Sequence, residues 1–481
     1  MKKCVKKYMK KYLVFVTLLT SIVPLFGAKK DHASAILMFP RPVYYFVEAT
    51  KNRWCEQITH KQGDRKIALL ITPMFQETRC DECAASYFLL NCKSKISIKS
   101  DPALPTDPLP FRDVRAEWLG ITDADFDAIY TVAPWQRQAG AVLAYNQDLG
   151  SLTKLSFLKY WWLDVSLPII HVQNNLNAQS SSQKVTDALK RSDLTFAKMD
   201  NRCRKKTGIG ELLVTLGTTV INRDCFTLSY YGGLASAGET RRNEEYLFKP
   251  STGSAGHFAI INGLLCRLPF YSCTDNKDSV DFFCSMELRY RMRRDEERTF
   301  DLCGNPWSRY LLIHRRNDPR TIPAANVLTH CIEVRPGCAF DLATGVSADH
   351  NGFGFEVGYN LWATQTEYLK VIDPPFCDKA APLMESYGIM GSDATKTASR
   401  STIAFRADDD DVFVPLRRTQ LDFNSAAAQG TASNRLFASI FIQGTKKDYD
   451  ILCALGGWAD WPHNNATLKT YGLWGNISFG W

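Results

Sequence analysis

In the stretch VDFFCSMELRYRMRR, Phe282, Cys284, Met286, Leu288, Tyr290 and Met292 alternate with Asp281, Phe283, Ser285, Glu287, Arg289, Arg291 and Arg293. Successive side chains of a β-strand point to opposite faces. The segment therefore predicts a strand that divides an apolar medium from a charged one. GFGFEVGYNLW repeats the rule, with Phe353, Phe355, Val357, Tyr359 and Leu361 on one face and Gly354, Glu356, Gly358 and Asn360 on the other. LSFLKYWWLDVSLPIIHV sets Phe157, Trp161, Leu163, Val165, Leu167 and Ile169 against Trp162, Asp164, Ser166 and Pro168. In the closing YGLWGNISFGW, the odd-numbered series Tyr471, Leu473, Gly475, Ile477, Phe479 and Trp481 is mostly large and apolar up to the last residue.

Weaker alternation marks KIALLITPMF, residues 85–97, QAGAVLAYNQDL, GHFAIINGLLCRLPF, SRYLLIHRR, THCIEVRPGCAFDL, STIAFRADDDDVFVPL, RLFASIFIQG and DYDILCALGGW. GELLVTLGTTV and DCFTLSYYGGL, joined at Ile221-Asn222-Arg223, predict an antiparallel hairpin. Two parts of the chain depart from this pattern. Residues 36–64 read as an irregular lead, and the Pro- and Asp-rich segment 101–130 reads as a long loop ending in a short helix near 123–129, a candidate for folding into a lumen.

Many strands of ten to eleven residues, each apolar on one face, are the pattern of a tilted membrane-crossing barrel. The expected fold is all-β: a transmembrane antiparallel barrel over 65–481, of roughly 12 to 16 strands with about 14 as the single best count. A secreted β-sandwich is the rival. Trp161, Trp162, Tyr359, Trp362, Tyr471 and Trp474 fall near the expected strand ends, where interfacial aromatics belong.

The start of the chain changes how the charge is read. Six lysines between Lys2 and Lys11 precede the apolar run 12–27, the plan of a secretory signal peptide cleaved after Ala28 or, with the better small residues, after Ala35. Removing residues 1–35 takes away eight lysines and one aspartate, and the formal charge falls from +8 to +1. Nucleic acid is thereby set aside as a partner. Past this segment no apolar run is long enough for a membrane helix.

The signal, the alternating segments and the aromatic last strand together resemble bacterial outer-membrane β-barrel proteins of the porin or fatty-acid-transporter type. In that family the last strand carries an aromatic terminus read by the barrel-assembly machinery; Trp481 matches it, and Ile477 and Phe479 match the alternating apolar positions. The family's usual glycine would fall at Asn476, whereas this chain has Gly475. The resemblance implies a bacterial outer-membrane location with lipid and the assembly machinery as partners, as a monomer or a trimer. It implies a channel for passive passage of small or hydrophobic solutes; the alternative is a structural or adhesive surface barrel with a plugged lumen and binding loops.

Asp164, Glu287, Arg289, Arg291, Arg293 and Glu356 are the candidate lumen-facing residues for solute selection. A guanidinium ring in a narrow bore attracts anions, and the competing reading is a static ion-pair network filling a closed lumen. The 15 cysteines are numerous for such a barrel. Cys55, Cys80, Cys83 and Cys92 are candidates for disulfides of undetermined pairing. Cys80 and Cys83 have zinc half-site spacing with no second half, and Asp408–Asp411 read as a solvated run, so neither metal nor cofactor is expected. Asp349-His350 lacks a nucleophile motif, and no enzyme is expected.

Overall fold

The structure, a computed structural model, describes residues 31–59, 66–78, 82–101, 110–152, 155–223, 225–238, 244–273, 278–318, 320–371, 384–390, 413–446 and 449–481. Cys80, Asp408–Asp411 and the segment 1–30 lie outside these residues. Twelve antiparallel strands form a closed ring. In chain order they are β1 (Ile67–Thr78), β2 (Trp135–Asp148), β3 (Trp161–Asn175), β4 (Leu213–Arg223), β5 (Phe226–Ala235), β6 (Ala259–Cys273), β7 (Asp278–Arg291), β8 (Gly337–His350), β9 (Phe353–Thr364), β10 (Thr431–Thr445), β11 (Asp450–Pro462) and β12 (Thr470–Gly480). Each pairs with its chain neighbour, and β1 closes the ring on β12, with Leu69 opposite Phe479 and Ile71 opposite Ile477. Closure leaves no unpaired edge in the ring.

A further strand, Arg204–Ile209, pairs with the second half of β3, while β4 pairs with the first half. It is the upstream part of the same wall strand, because Ile169 faces Ile209 and Ser166 faces Leu213. The register slips by one residue across Gly210–Leu212, a bulge. Pro168 lacks an N–H at this height, and Gly210 N donates to Pro168 O at 2.8 Å.

Side-chain parity follows the alternation. The exposed large hydrophobics include Leu69 and Ile71 on β1, Phe353, Phe355 and Val357 on β9, Leu436, Ile440 and Ile442 on β10, and Leu473, Ile477 and Phe479 on β12. With exposed Leu455 on β11 between β10 and β12, they form one outward-facing band. So much apolar surface is unfavourable in water and matches the band that meets lipid. The ring and its belt are those of an outer-membrane β-barrel, and the protein is placed in the bacterial outer membrane.

Connections at one end are short: β4–β5, β8–β9 and β10–β11 are joined by four residues or fewer, and β2–β3 by residues 149–160. At the other end five long segments rise from the rim. Their described parts build a cap of small sheets, including Lys95–Lys99 with Asp127–Thr131, Arg294–Thr299 with Thr329–Arg335 and Tyr368–Val371, and Leu312–Arg315 with Thr321–Pro323 and Tyr387–Met390. The cap buries two apolar clusters of its own, one around Phe88, Tyr130, Leu189 and Trp307, the other around Phe300, Leu328, Ile332 and Leu421.

Several expectations are corrected here. The ring has twelve strands and not fourteen, since SRYLLIHRR, the first half of THCIEVRPGCAFDL and the end of STIAFRADDDDVFVPL form short cap strands, and 85–97 is mostly helix and turn. Alternation reports a half-buried strand and cannot tell a barrel wall from a small sheet. Residues 123–129 are no helix: a 3-10 turn spans Ala116–Leu119 and a strand starts at Asp127, both in the cap and not the lumen. Ile221-Asn222-Arg223 is not the connection but still strand, and β5 begins at Phe226. The lead 36–64 is not irregular throughout. Residues Tyr44–Thr59 form a helix, α1.

Candidate functional site

The interior of the ring is occupied by α1. The chain enters from the cap, where Ser34 N donates to Leu89 O and Ala35 N to Tyr87 O, at 2.9 and 3.0 Å. It crosses the rim at Pro40–Val43 and descends as a helix touching β1, β2, β7, β8, β11 and β12. Its aromatic residues fill the bore. Phe46 packs edge-on against Phe437 with centroids 4.9 Å apart and lies 5.5 Å from Trp458, and Trp54 stacks on Trp474 at 4.9 Å. These inward indoles lie over glycines of neighbouring strands: a Cβ on Gly472 would sit 2.4 Å from Trp458, and one on Gly456 2.6 Å from Trp474. Glycine is required there because the ring takes the space of a side chain.

Charged residues bind the helix and its lead to the wall at three places. At the rim, Arg41 pairs with Asp341 at 2.9 Å, donates to Asn360, and approaches Asp460 at 3.9 Å. Asp460 also takes Arg435 at 2.9 Å, and Arg435 reaches Gln76 at 3.2 Å. Beside it, where Glu287 faces Asp341 across β7 and β8, Tyr45 donates its hydroxyl to Glu211 at 3.2 Å, and Arg289 bridges Glu211 and Glu287 with its guanidinium 4.2 Å over the Tyr45 ring. Tyr231 donates to the second oxygen of Glu287 at 2.9 Å. Deeper, Lys51 of α1 forms an ion pair with Asp164 of β3.

All of these charged groups are buried. A buried charge is tolerated when paired and hydrogen-bonded. Such pairs add little net stability over apolar packing, but removing one partner strands the other, so they fix where the helix sits. The Gly210–Leu212 bulge supplies one of the acceptors, since the slip in register turns Glu211 into the lumen beneath Tyr45.

The predicted selectivity residues fall as follows. Asp164, Glu287, Arg289, Arg291 and Glu356 face inward and are buried. Three of them, Asp164, Glu287 and Arg289, belong to the network around α1. Arg291 lies under the Phe39 ring at 4.9 Å and donates to Pro336 O at 3.3 Å. Glu356 sits opposite Ser347 and Ser439 on the adjoining strands. Arg293 lies beyond the end of β7, is exposed, and pairs with Glu333 of the cap at 3.1 Å.

Alternation found the wall residues because they share a strand face. It missed Arg41, Tyr45 and Lys51 on the plug, Glu211 on the bulge, and Asp341, Arg435 and Asp460, which stand on less regular segments. The girdle reading divides likewise. Trp161, Tyr359 and Tyr471 face outward, whereas Trp162, Trp362 and Trp474 are buried on the lumen side.

The candidate disulfide set is spread over the fold. Cys55 is buried on α1 in the cluster of Ala68, Leu70 and Leu452, while Cys83 and Cys92 belong to the cap segment Glu82–Cys92. Cys331, in the cap sheet, is disulfide-bonded. Asp349 accepts Gly352 N at 2.9 Å, and His350 pairs with Asp278 at 2.9 Å on an exposed turn. The terminal positions Ile477 and Phe479 point outward, and Trp481 extends the ladder, its N–H bonded to Ile67 O and its carbonyl accepting Lys66 N at 2.8 Å.

Beneath α1, at the short-turn end, the lumen opens into a cavity of about 580 Å³ lined by Lys66, Asp148, Gly150, Ser151, Lys159, Tyr160, Thr219, Asn222, Thr227 and Arg267.

No family model matches the chain, and no curated protein matches it. Solved structures similar to it include an outer membrane channel from Pseudomonas putida F1, at 9% identity and a TM-score of 0.35 over 87% of this chain and 98% of that one. The toluene transporter TodX from Pseudomonas putida gives 10% identity and a TM-score of 0.34 over 95% and 98%. The transport unit of the autotransporter AIDA-I from Escherichia coli gives 7% and 0.34 over 91% and 97%. At these values what the chain does must be argued from its own geometry.

Proposed function

We propose that this protein is an outer-membrane channel held shut by its own N-terminal helix, passing small solutes passively when the helix shifts and not as an open pore. The observation that carries this reading is the occupancy of the bore: α1 lies along it, and Arg41, Tyr45 and Lys51 each meet a wall acceptor. An architecture meant only to stay filled needs no charged plug, since apolar packing stabilises at least as well as buried ion pairs. Paired charges hold one position and can be exchanged for water. In this reading Asp164, Glu287, Arg289, Arg291 and Glu356 line the path once it opens, and Arg293 stands at its outer margin. Delivery to the membrane through the barrel-assembly machinery, with Ile477, Phe479 and Trp481 as its signal, belongs to the same proposal.

Planar-bilayer recording tests it. Wild-type protein should be closed or open rarely, and the double substitution Arg41→Ala with Lys51→Ala should raise the open fraction at least tenfold. A correctly folded double variant without conductance would end the channel reading. The second reading, a surface barrel with a permanently filled lumen, is favoured by the cap, which buries two apolar clusters of its own. In that case the loosened plug changes stability and leaves solute passage at zero.

A further inference from the structure

The cavity below α1 is built differently from the lumen above it. Among the described residues its lining carries three cations, Lys66, Lys159 and Arg267, and one carboxylate, Asp148. The remaining side chains that reach it are those of Ser151, Tyr160, Thr219, Asn222 and Thr227, four hydroxyls and an amide, all able to donate hydrogen bonds.

Strand parity explains their convergence. Thr227 and Arg267 are direct partners across β5 and β6, and Asn222 faces Thr227 across the β4–β5 hairpin, so the three share the inner face. Asp148, whose carboxylate accepts Gly150 N at 2.8 Å, lies on the inward parity of β2. Arg267 spends one contact on Asp281 at 3.0 Å. The Lys159 ammonium lies 5.4 Å from the centre of the Tyr160 ring, a contact that leaves its protons available.

The volume falls in the range of small-molecule sites, roughly 300 to 1,000 Å³. Among the described residues the lining is net positive. The low-dielectric barrel wall around it focuses that potential on whatever enters the mouth. In the upper lumen each arginine and lysine of the network faces a carboxylate; here cations outnumber carboxylates, and that surplus calls for an anion from outside.

We infer that the turn-end mouth of the barrel is a binding site for small anions bearing a phosphoryl or carboxylate group, held by Lys66, Lys159 and Arg267 with hydroxyl donors from Thr219, Thr227 and Ser151. Anion binding itself does not depend on the channel reading. That the bound anion is the solute that passes rests on that reading.

The test uses the full-length protein in a zwitterionic detergent, titrated with inorganic pyrophosphate by calorimetry at low ionic strength. Wild-type protein should bind with one site, and raising the salt to about 0.5 M should weaken binding severalfold, as for solvent-accessible charges. The double substitution Lys66→Gln with Lys159→Gln should lower affinity at least tenfold. Asp148→Asn keeps the acceptor for Gly150 and removes the opposing charge, and should raise affinity about threefold, a gain that a misfolded barrel cannot give.

Absence of binding by wild-type protein would overturn the inference, as would binding indifferent to both variants. A phosphate can come from a free solute or a phospholipid headgroup. Phosphatidylglycerol mixed into the micelles distinguishes them: competition with pyrophosphate assigns the site to lipid, and unchanged binding assigns it to free anions. Bound pyrophosphate with no conductance in the loosened-plug variant would retain the site and remove the channel.

Discussion

At the scale of single residues, burial sets what a charge can do, and two positions give measurable consequences. His330, on the cap strand Thr329–Arg335, has its pKa pushed down to about 4, by burial first and by the charge of Arg418 second. The ordinary value is 6.5, so the unfolded chain takes up a proton at a pH where the native cap still holds His330 neutral. Cap stability is then complete above about pH 6.5, falls as the pH drops toward 4, and has no further contribution from this residue below that, a loss on the order of 3 kcal/mol. His330→Gln should flatten this slope, as read from the pH dependence of protease cleavage in the cap. The second position is Lys51. Lys51→Ala leaves the Asp164 carboxylate buried beside a gap and should cost about 3 kcal/mol in urea unfolding. The double substitution with Asp164→Ala should recover most of that loss, and a cycle with no coupling would show that the pair does not hold the helix.

At the scale of elements, the strands were legible and the helix was not, for a physical reason. A wall strand has one face toward lipid and one toward the lumen, which imprints a period of two on the sequence; β7 and β9 carry it over their whole lengths. A helix inside the bore is covered on more than one side: Tyr44, Tyr45, Phe46 and Val47, which together go once round α1, are all buried. YYFVEATKNRWCEQIT accordingly lacks the single apolar stripe of a surface helix. The charges that identify the site were legible as inward residues on β3 and β7, yet their partners, Lys51 for Asp164 and Glu211 and Tyr45 for Arg289, are remote in sequence and share no period with them.

The same entry segment bears on processing. Ser34, Ala35 and Ile36 are buried; the Ser34 hydroxyl donates to Asp301 at 3.0 Å, and Arg309 donates to Ser34 O at 3.2 Å. Cleavage after Ala35 would remove Ser34 from the Asp301–Arg309 pair and create a charged amine at Ile36, whose N–H now bonds Ser425 O inside the cap. An unsolvated ammonium there is costly. Cleavage after Ala28 avoids both losses, and the intact mass of protein extracted from outer membranes should correspond to a chain starting at Lys29. A mass for a chain starting at Ile36 would mean that this part of the cap is not formed in the membrane.

At the scale of the whole molecule, the barrel meets three environments, and each rewards a different substitution. Outside the wall is hydrocarbon, above the rim is water around the cap, and inside is a filled bore with a cationic mouth. Ile440 is near the middle of β10, exposed and outward, in the lipid-facing band. Ile440→Lys should cost about 2–4 kcal/mol for protein folded into phospholipid bilayers, the range for a basic residue at the bilayer midplane. His171 lies toward the cap end of β3, also outward, where its ring meets Thr207 at 2.6 Å, and His171→Lys should cost little. In detergent the wild-type barrel should migrate faster unheated than after boiling, and the Ile440→Lys variant should lose that shift at lower temperature while His171→Lys keeps it. Equal penalties at both positions would mean that the outer face is not a lipid belt. A soluble sandwich predicts that equality, because it has no depth axis along which a charge changes its cost.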